Sequence, residues 1–231
     1  MTSPAKEKII VALDAPDTAS ACRLADSLGD SVTWVKIGLQ LFTAEGPEIV
    51  RTMKARGYKI FLDLKFHDIP NTAREAVHSA VALGADMTTI HLSGGAKMIR
   101  ESVAAAKDSE LLVLGVTVLT SFDQAELHGI GVQNTPAGQV ENLVALGTSV
   151  GLRGVVCSPH EITTLRHRFG PDLVIVTPGV RPAGSALDDQ SRVMTPSEAL
   201  RAGASHLVIG RPITGVPSPR DAVSQILASI S

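Results

Sequence analysis

Apolar runs rich in β-branched residues recur along the whole chain, at 8–13, 32–37, 59–64, 87–92, 111–118, 154–157, 173–176 and 206–209. Between and after them lie amphipathic or Ala-rich stretches of helical length, at 18–28, 47–56, 72–83, 96–106, 137–150, 160–169, 196–202 and 219–230. Runs that are apolar on both faces predict strands of a parallel sheet covered by helices. Spread over 231 residues, eight such units take roughly 29 residues each, the repeat of a closed (β/α)8 TIM barrel. A doubly wound open sheet is the competitor. It usually carries a glycine fingerprint after its first strand, whereas this chain runs into Leu13-Asp14-Ala15-Pro16-Asp17. A single barrel domain over 1–231 is therefore expected, with Gly29, Gly57, Gly84, Gly147, Gly170 and Gly203 closing its helices.

Composition removes other classes. With 44% hydrophobic and 19% charged residues the chain is too apolar for disorder. A net charge of −2 and an aromatic content of 3% offer neither a basic surface nor stacking rings for nucleic acid. Cys22 and Cys157 stand far apart, which predicts small core side chains rather than a disulfide or a zinc cluster. The N-terminus is unlike a signal peptide, and no apolar run approaches the roughly 18 residues of a membrane span. A cytoplasmic protein is expected, with no membrane partner.

Polar residues collect where the predicted strands end: Asp14, Lys36, Asp63, Lys65, His91, Thr117, Thr120 and Ser158. Any one alone reads as a cap or a satisfied core group, but substrate sites of such barrels are assembled from these strand ends. The densest stretch is Asp63-Leu64-Lys65-Phe66-His67-Asp68-Ile69-Pro70-Asn71-Thr72. At period two, Asp63 and Lys65 share a face that would point into the barrel, with Leu62 and Leu64 toward the helices. Asp68 falls in the following turn, where Asn71 or Thr72 can cap the next helix. A buried ion pair followed by a capped loop is the plainer reading.

Adding Lys36 gives two ammonium groups and two carboxylates that can alternate in one cavity. Lysines flanked by carboxylates stay protonated, which argues against imine chemistry. A held ammonium instead suits a reaction that builds negative charge on carbon, which it can stabilise and then protonate. At the other end, Pro178-Gly179-Val180-Arg181 and Gly210-Arg211 fall in the loops after strands seven and eight, the recurrent phosphate position. Each arginine alone could be a solvated charge; together they point to a phosphorylated substrate. Two long loops, 120–139 and 178–195, are candidate lids.

These motifs, with Val11-Ala12-Leu13-Asp14, Val116-Thr117-Val118-Leu119-Thr120-Ser121 and Gly210-Arg211-Pro212-Ile213, resemble the orotidine 5′-phosphate decarboxylase family of ribulose-phosphate-binding barrels, in its stand-alone bacterial form. The resemblance spans essentially the whole chain, which leaves no room for the phosphoribosyltransferase domain fused to some members. It implies a cofactor- and metal-independent conversion of orotidine 5′-monophosphate to UMP, with Lys65 protonating C6. It implies Asp63, Asp68 and Lys36 as the rest of the charged network, and Asp14 and Lys36 on the ribose. It places Thr120 and Ser121 at the pyrimidine and Arg181, Gln190, Gly210 and Arg211 at the phosphate, with Pro178 opening a closing loop that ends at Gln190. A homodimer is implied too, in which Asp68, Ile69 and Thr72 reach the neighbouring site.

The nearest rival is a magnesium-dependent relative, a 3-keto-gulonate-phosphate decarboxylase or hexulose-phosphate synthase, which shares Asp-x-Lys-x-x-Asp. Such enzymes place a carboxylate for the metal at strand two, where this chain has Lys36, a cation that repels Mg²⁺. His91 as a metal ligand is the weaker reading beside a hydrogen-bonded core histidine. A non-catalytic sugar-phosphate sensor has no need to confine so many charges.

Overall fold

A computed structural model describes residues 5–182 and 194–230. Its strands are β1 Ile9–Ala12, β2 Trp34–Gly38, β3 Lys59–Phe66, β4 Met87–His91, β5 Leu112–Val116, β6 Gly154–Val156, β7 Val174–Thr177 and β8 His206–Ile209. Each pairs in parallel with its sequence neighbour, and β8 returns to β1, so the sheet closes into a barrel. The helices are α1 Thr18–Leu28, α2 Leu39–Glu45, α3 Glu48–Ala55, α4 Pro70–Ala82, α5 Gly95–Ala105, α6 Gln124–Gly129, α7 Pro136–Ser149, α8 Ile162–Phe169, α9 Pro196–Ala202, α10 Arg211–Thr214 and α11 Pro219–Ser229.

Local chemistry sets many of the helix ends. Asp17 accepts the N–H of Ser20 to open α1, and Thr195 with Glu198 forms a capping box on α9. Proline stands at the first turn of α4, α7, α9 and α11, where its missing N–H costs nothing. The strand side chains alternate between two cores. Ile10, Trp34, Phe61, Met87, Leu114 and Val176 fill the barrel, while Val11, Val35, Leu62 and Ile90 join the shell between sheet and helices. The barrel is thus plugged by side chains through its middle, and polar strand ends lie above the plug.

Several expectations are corrected. Gly147 does not close its helix: it lies buried within α7, where a Cβ would stand 2.9 Å from Leu152 Cδ2 and 3.1 Å from Leu92 Cδ2. Gly151, at φ +95°, makes the turn instead. Neither Asn71 nor Thr72 caps α4, which starts earlier behind Ile69, and Asn71 Oδ1 accepts from Arg74 Nη2 at 2.7 Å. Part of the 120–139 loop is the short helix α6, and α2 follows β2 without a break.

Candidate active site

The cavity above the plug, of about 350 Å³, is lined by residues from seven of the eight strands or the loops after them, all but β4. Asp14 follows β1, Lys36 is the middle residue of β2, and Asp63 and Lys65 sit together on β3. Lys36 Nζ donates to Asp14 Oδ1 at 3.2 Å and lies 4.0 Å from Asp63 Oδ2. Lys65 Nζ donates to both oxygens of Asp63, at 2.9 Å each. Carboxylate and ammonium therefore alternate as Asp14, Lys36, Asp63, Lys65. The side chains of Lys36 and Asp63 are only 12% and 13% exposed, so these charges interact in a partly water-excluded space where their mutual field is strong.

Room for this chain depends on Gly38. A Cβ there would fall 2.9 Å from Lys36 Nζ, a packing demand that motif spacing does not show. Thr89 is a second residue missed in the sequence, and it is fully buried. Its Oγ donates to Asp63 Oδ1 at 3.0 Å and accepts the Lys65 N–H at 2.8 Å. The available signal was the pair Thr88-Thr89 inside an otherwise apolar strand, since a buried hydroxyl requires a partner.

The same cavity is lined by Thr120, Pro178, Gly179, Arg181, Gly210 and Arg211, the predicted pyrimidine and phosphate positions. Gly179 has φ +78°, and Gly210 brings backbone next to Asp14, where a Cβ would lie 3.6 Å from Asp14 Oδ2. Arg181 is 8% exposed, and its Nε has no hydrogen-bond partner among the described residues. The Arg181 N–H donates to the Met194 carbonyl at 3.0 Å, which ties the two ends of the strand-seven loop. Gln190 and most of the expected closing loop lie outside the described residues.

Not every expected residue joins the cavity of its own chain. Asp68, Ile69, Thr72 and Ser121 are exposed and do not line it. Asp68 Oδ1 instead accepts the N–H of Ile69 at 2.7 Å. Thr117 and Ser158 are buried outside it, Thr117 donating to the Val156 carbonyl at 3.0 Å and Ser158 opening a short 3-10 turn over Pro159–Glu161. For Thr117 the plain structural reading holds. His91 is half-buried with its ring centroid 5.1 Å from that of His67; burial, then His67 and Lys65, hold it below its ordinary pKa, with Asp63 opposing them. Cys157 is buried and Cys22 half-buried, and both are free thiols.

A closed parallel barrel with alternating lysines and aspartates on its strands and arginines in the loops after β7 and β8 defines an α/β-barrel protein whose cavity is assembled from its strand ends. The family model "Orotidine 5'-phosphate decarboxylase / HUMPS family" matches residues 7–226. The chain belongs to that family. It is 49% identical to the orotidine 5'-phosphate decarboxylase of Moorella thermoacetica, over 98% of this chain and 93% of the relative. It is also 49% identical to that of Opitutus terrae, over 96% and 97%. The crystal structure of orotidine 5'-phosphate decarboxylase from Lactobacillus acidophilus superposes with a TM-score of 0.87 at 35% identity, covering 97% of this chain and 99% of that one.

Proposed function

We propose that the protein is a carboxy-lyase that converts orotidine 5′-monophosphate to UMP and carbon dioxide in pyrimidine biosynthesis. The observation that carries this reading within the family is Lys36. It stands inside the charged chain at the strand-two position where magnesium-dependent relatives need a carboxylate, 4.0 Å from Asp63 Oδ2. A reaction without metal or organic cofactor follows, because the chain's own ammonium groups supply the positive field.

In that reaction the bond from C6 to the carboxylate breaks and its electron pair stays on C6. The ring offers no carbonyl placed to delocalise that charge, so it is localised and calls for a nearby fixed cation. Lys65 supplies the cation, then gives C6 one proton to form UMP, and regains a proton from solvent. Asp63 holds the Lys65 ammonium through both oxygens, and Lys36 with Asp14 binds the ribose. Thr120, with Ser121 at the rim, meets the pyrimidine. Arg181, Gln190, Arg211 and the backbone of Gly210 grip the phosphate, with Pro178 at the start of the loop that carries Gln190. Phosphate binding far from C6 then supplies energy for ordering the site.

Asp68, Ile69 and Thr72 complete the site from a second copy of the chain. Their exposure supports this: Ile69, a large apolar side chain, is 67% exposed beside Asp68. The reading is of a cytoplasmic homodimer with one barrel domain per chain and no nucleic-acid partner. Among the described residues no helix is long and apolar enough to cross a membrane.

The test is an absorbance assay with orotidine 5′-monophosphate after EDTA treatment. Full turnover is expected. No turnover, or turnover only when Mg²⁺ is restored, would reject the proposal in favour of the sensor or the metal-dependent relative.

A further inference from the structure

The strand that carries Lys65 is irregular at that point. Leu62 pairs with Thr88 and Phe66 with Ile90, so four steps along β3 are matched by two along β4. Such a bulge removes ladder hydrogen bonds and re-aims the side chains on it. Lys65 sits in it at φ +51°, the only non-glycine residue with positive φ among the described residues. This conformation is strained for any residue with a Cβ and persists only where its surroundings hold it.

Two adjacent threonines of β4, both fully buried, replace the lost ladder. Thr88 Oγ donates to the Leu62 carbonyl at 3.0 Å and so closes the near side of the bulge. Thr89 Oγ accepts the Lys65 N–H at 2.8 Å and donates its own hydrogen to Asp63 Oδ1 at 3.0 Å. A hydroxyl has one hydrogen and two lone pairs, so both contacts are made at once and neither competes with the other. One side chain therefore fixes the backbone from which Lys65 projects and one of the two oxygens that its ammonium contacts.

We propose that Thr89 is a positioning residue that sets the direction of the Lys65 ammonium through these two bonds. The inference rests on the decarboxylase reading above. A cation that must sit over one carbon atom is effective only if it is held there before reaction, so loosening the hold should lower turnover more than ligand binding.

Four variants and the wild type separate the possibilities. Thr89→Val keeps the shape and removes both bonds; kcat for orotidine 5′-monophosphate should fall roughly tenfold to a hundredfold, with UMP affinity by calorimetry changing less than about threefold. Thr89→Ser keeps the hydroxyl and should restore kcat to within about threefold of wild type. Thr88→Val removes the neighbouring bond from the same bulge without touching Asp63, and should lower the melting temperature while leaving kcat near wild type. Unchanged kcat in a folded Thr89→Val protein overturns the proposal, as does a kcat loss in Thr88→Val equal to that in Thr89→Val. If Thr89→Val fails to fold, a kcat in Thr89→Ser as low as that of Lys65→Ala overturns it. A wild-type protein without turnover removes the decarboxylase reading itself, and this inference with it.

Discussion

Lys65 and Gly38 show how single residues make the site. Lys65 was legible in the sequence because a lysine two positions from an aspartate on a predicted strand shares its face, and the structure joins them at 2.9 Å. Its positive φ was not legible, since a bulge depends on the partner strand. Lys65→Ala should lower kcat by roughly a thousandfold or more, the upper range of general acid catalysis plus the lost cation, while calorimetry finds UMP bound within about tenfold of wild type. Equal losses in both would mark Lys65 as merely structural. At Gly38 the added methyl of Gly38→Ala meets side-chain atoms only, Lys36 Nζ at 2.9 Å and Asp14 Oδ1 at 3.7 Å, so the fold has an easy escape and the site does not. The melting temperature should stay within about 4 °C, while kcat/KM falls by roughly tenfold as the ammonium is displaced from Asp14 and Asp63. For the phosphate grip, Arg211→Ala should impair turnover of orotidine 5′-monophosphate and barely affect the unphosphorylated nucleoside; equal impairment of both would count against a phosphate role.

Among the elements, the turn from β3 into α4 is the most informative. Its sequence pattern placed Asp68 with the charged network, yet in one chain Asp68 turns back to the N–H of Ile69, 2.7 Å away, and stays exposed. The proline in Ile69-Pro70 fixes where α4 can start and so holds this turn out from the barrel. If the turn serves a second copy, Lys65→Ala and Asp68→Ala damage different chains of one site. Mixing the two inactive proteins under conditions that exchange subunits should then recover about a quarter of wild-type turnover, because half the dimers are mixed and one of their two sites is intact. A mixture as inactive as its components places both residues in one chain's site. The eight strands and the long helices were legible because apolar spacing is a local signal. The short helices α2, α6 and α10 were not, having too few turns to show a periodic face.

At the scale of the whole molecule the end of the barrel opposite the site is a closed polar cap. Trp34 donates from Nε1 to Glu7 at 3.1 Å, Lys59 pairs with Glu7 at 3.3 Å, and the His206 ring packs edge-on against Trp34 with centroids 5.7 Å apart. Burial pushes His206 down to about 4; nearby Glu7 opposes this, and Lys59 and Lys8 add to it. The ring is neutral in the folded protein, whereas the unfolded chain takes up its proton near the ordinary value of 6.5. Stability from this residue is therefore level above pH 6.5 and falls as pH drops from 6.5 toward 4, by up to about 3 kcal/mol. Trp34 is the chain's one tryptophan, so denaturant titrations followed by its fluorescence report on this cap directly. His206→Phe should be less sensitive to pH in that window, and an unchanged slope would assign the loss to other groups.

What the amino-acid order determined by itself was periodic or contiguous: the strand and helix repeat, the shared face of Asp63 and Lys65, and the arginines after the last two strands. The repeat and the loop positions survive because they depend on near neighbours in the chain, whereas the contact of Asp63 with Lys65 is made within the β3 bulge. The tertiary structure decided the rest. It bulged β3 against β4, set buried Thr89 between Lys65 and Asp63, required the missing Cβ at Gly38 and left Asp68 outside its own chain's cavity. Each of these is a contact between residues distant in sequence, fixed only when neighbouring strands and loops compete for the same space.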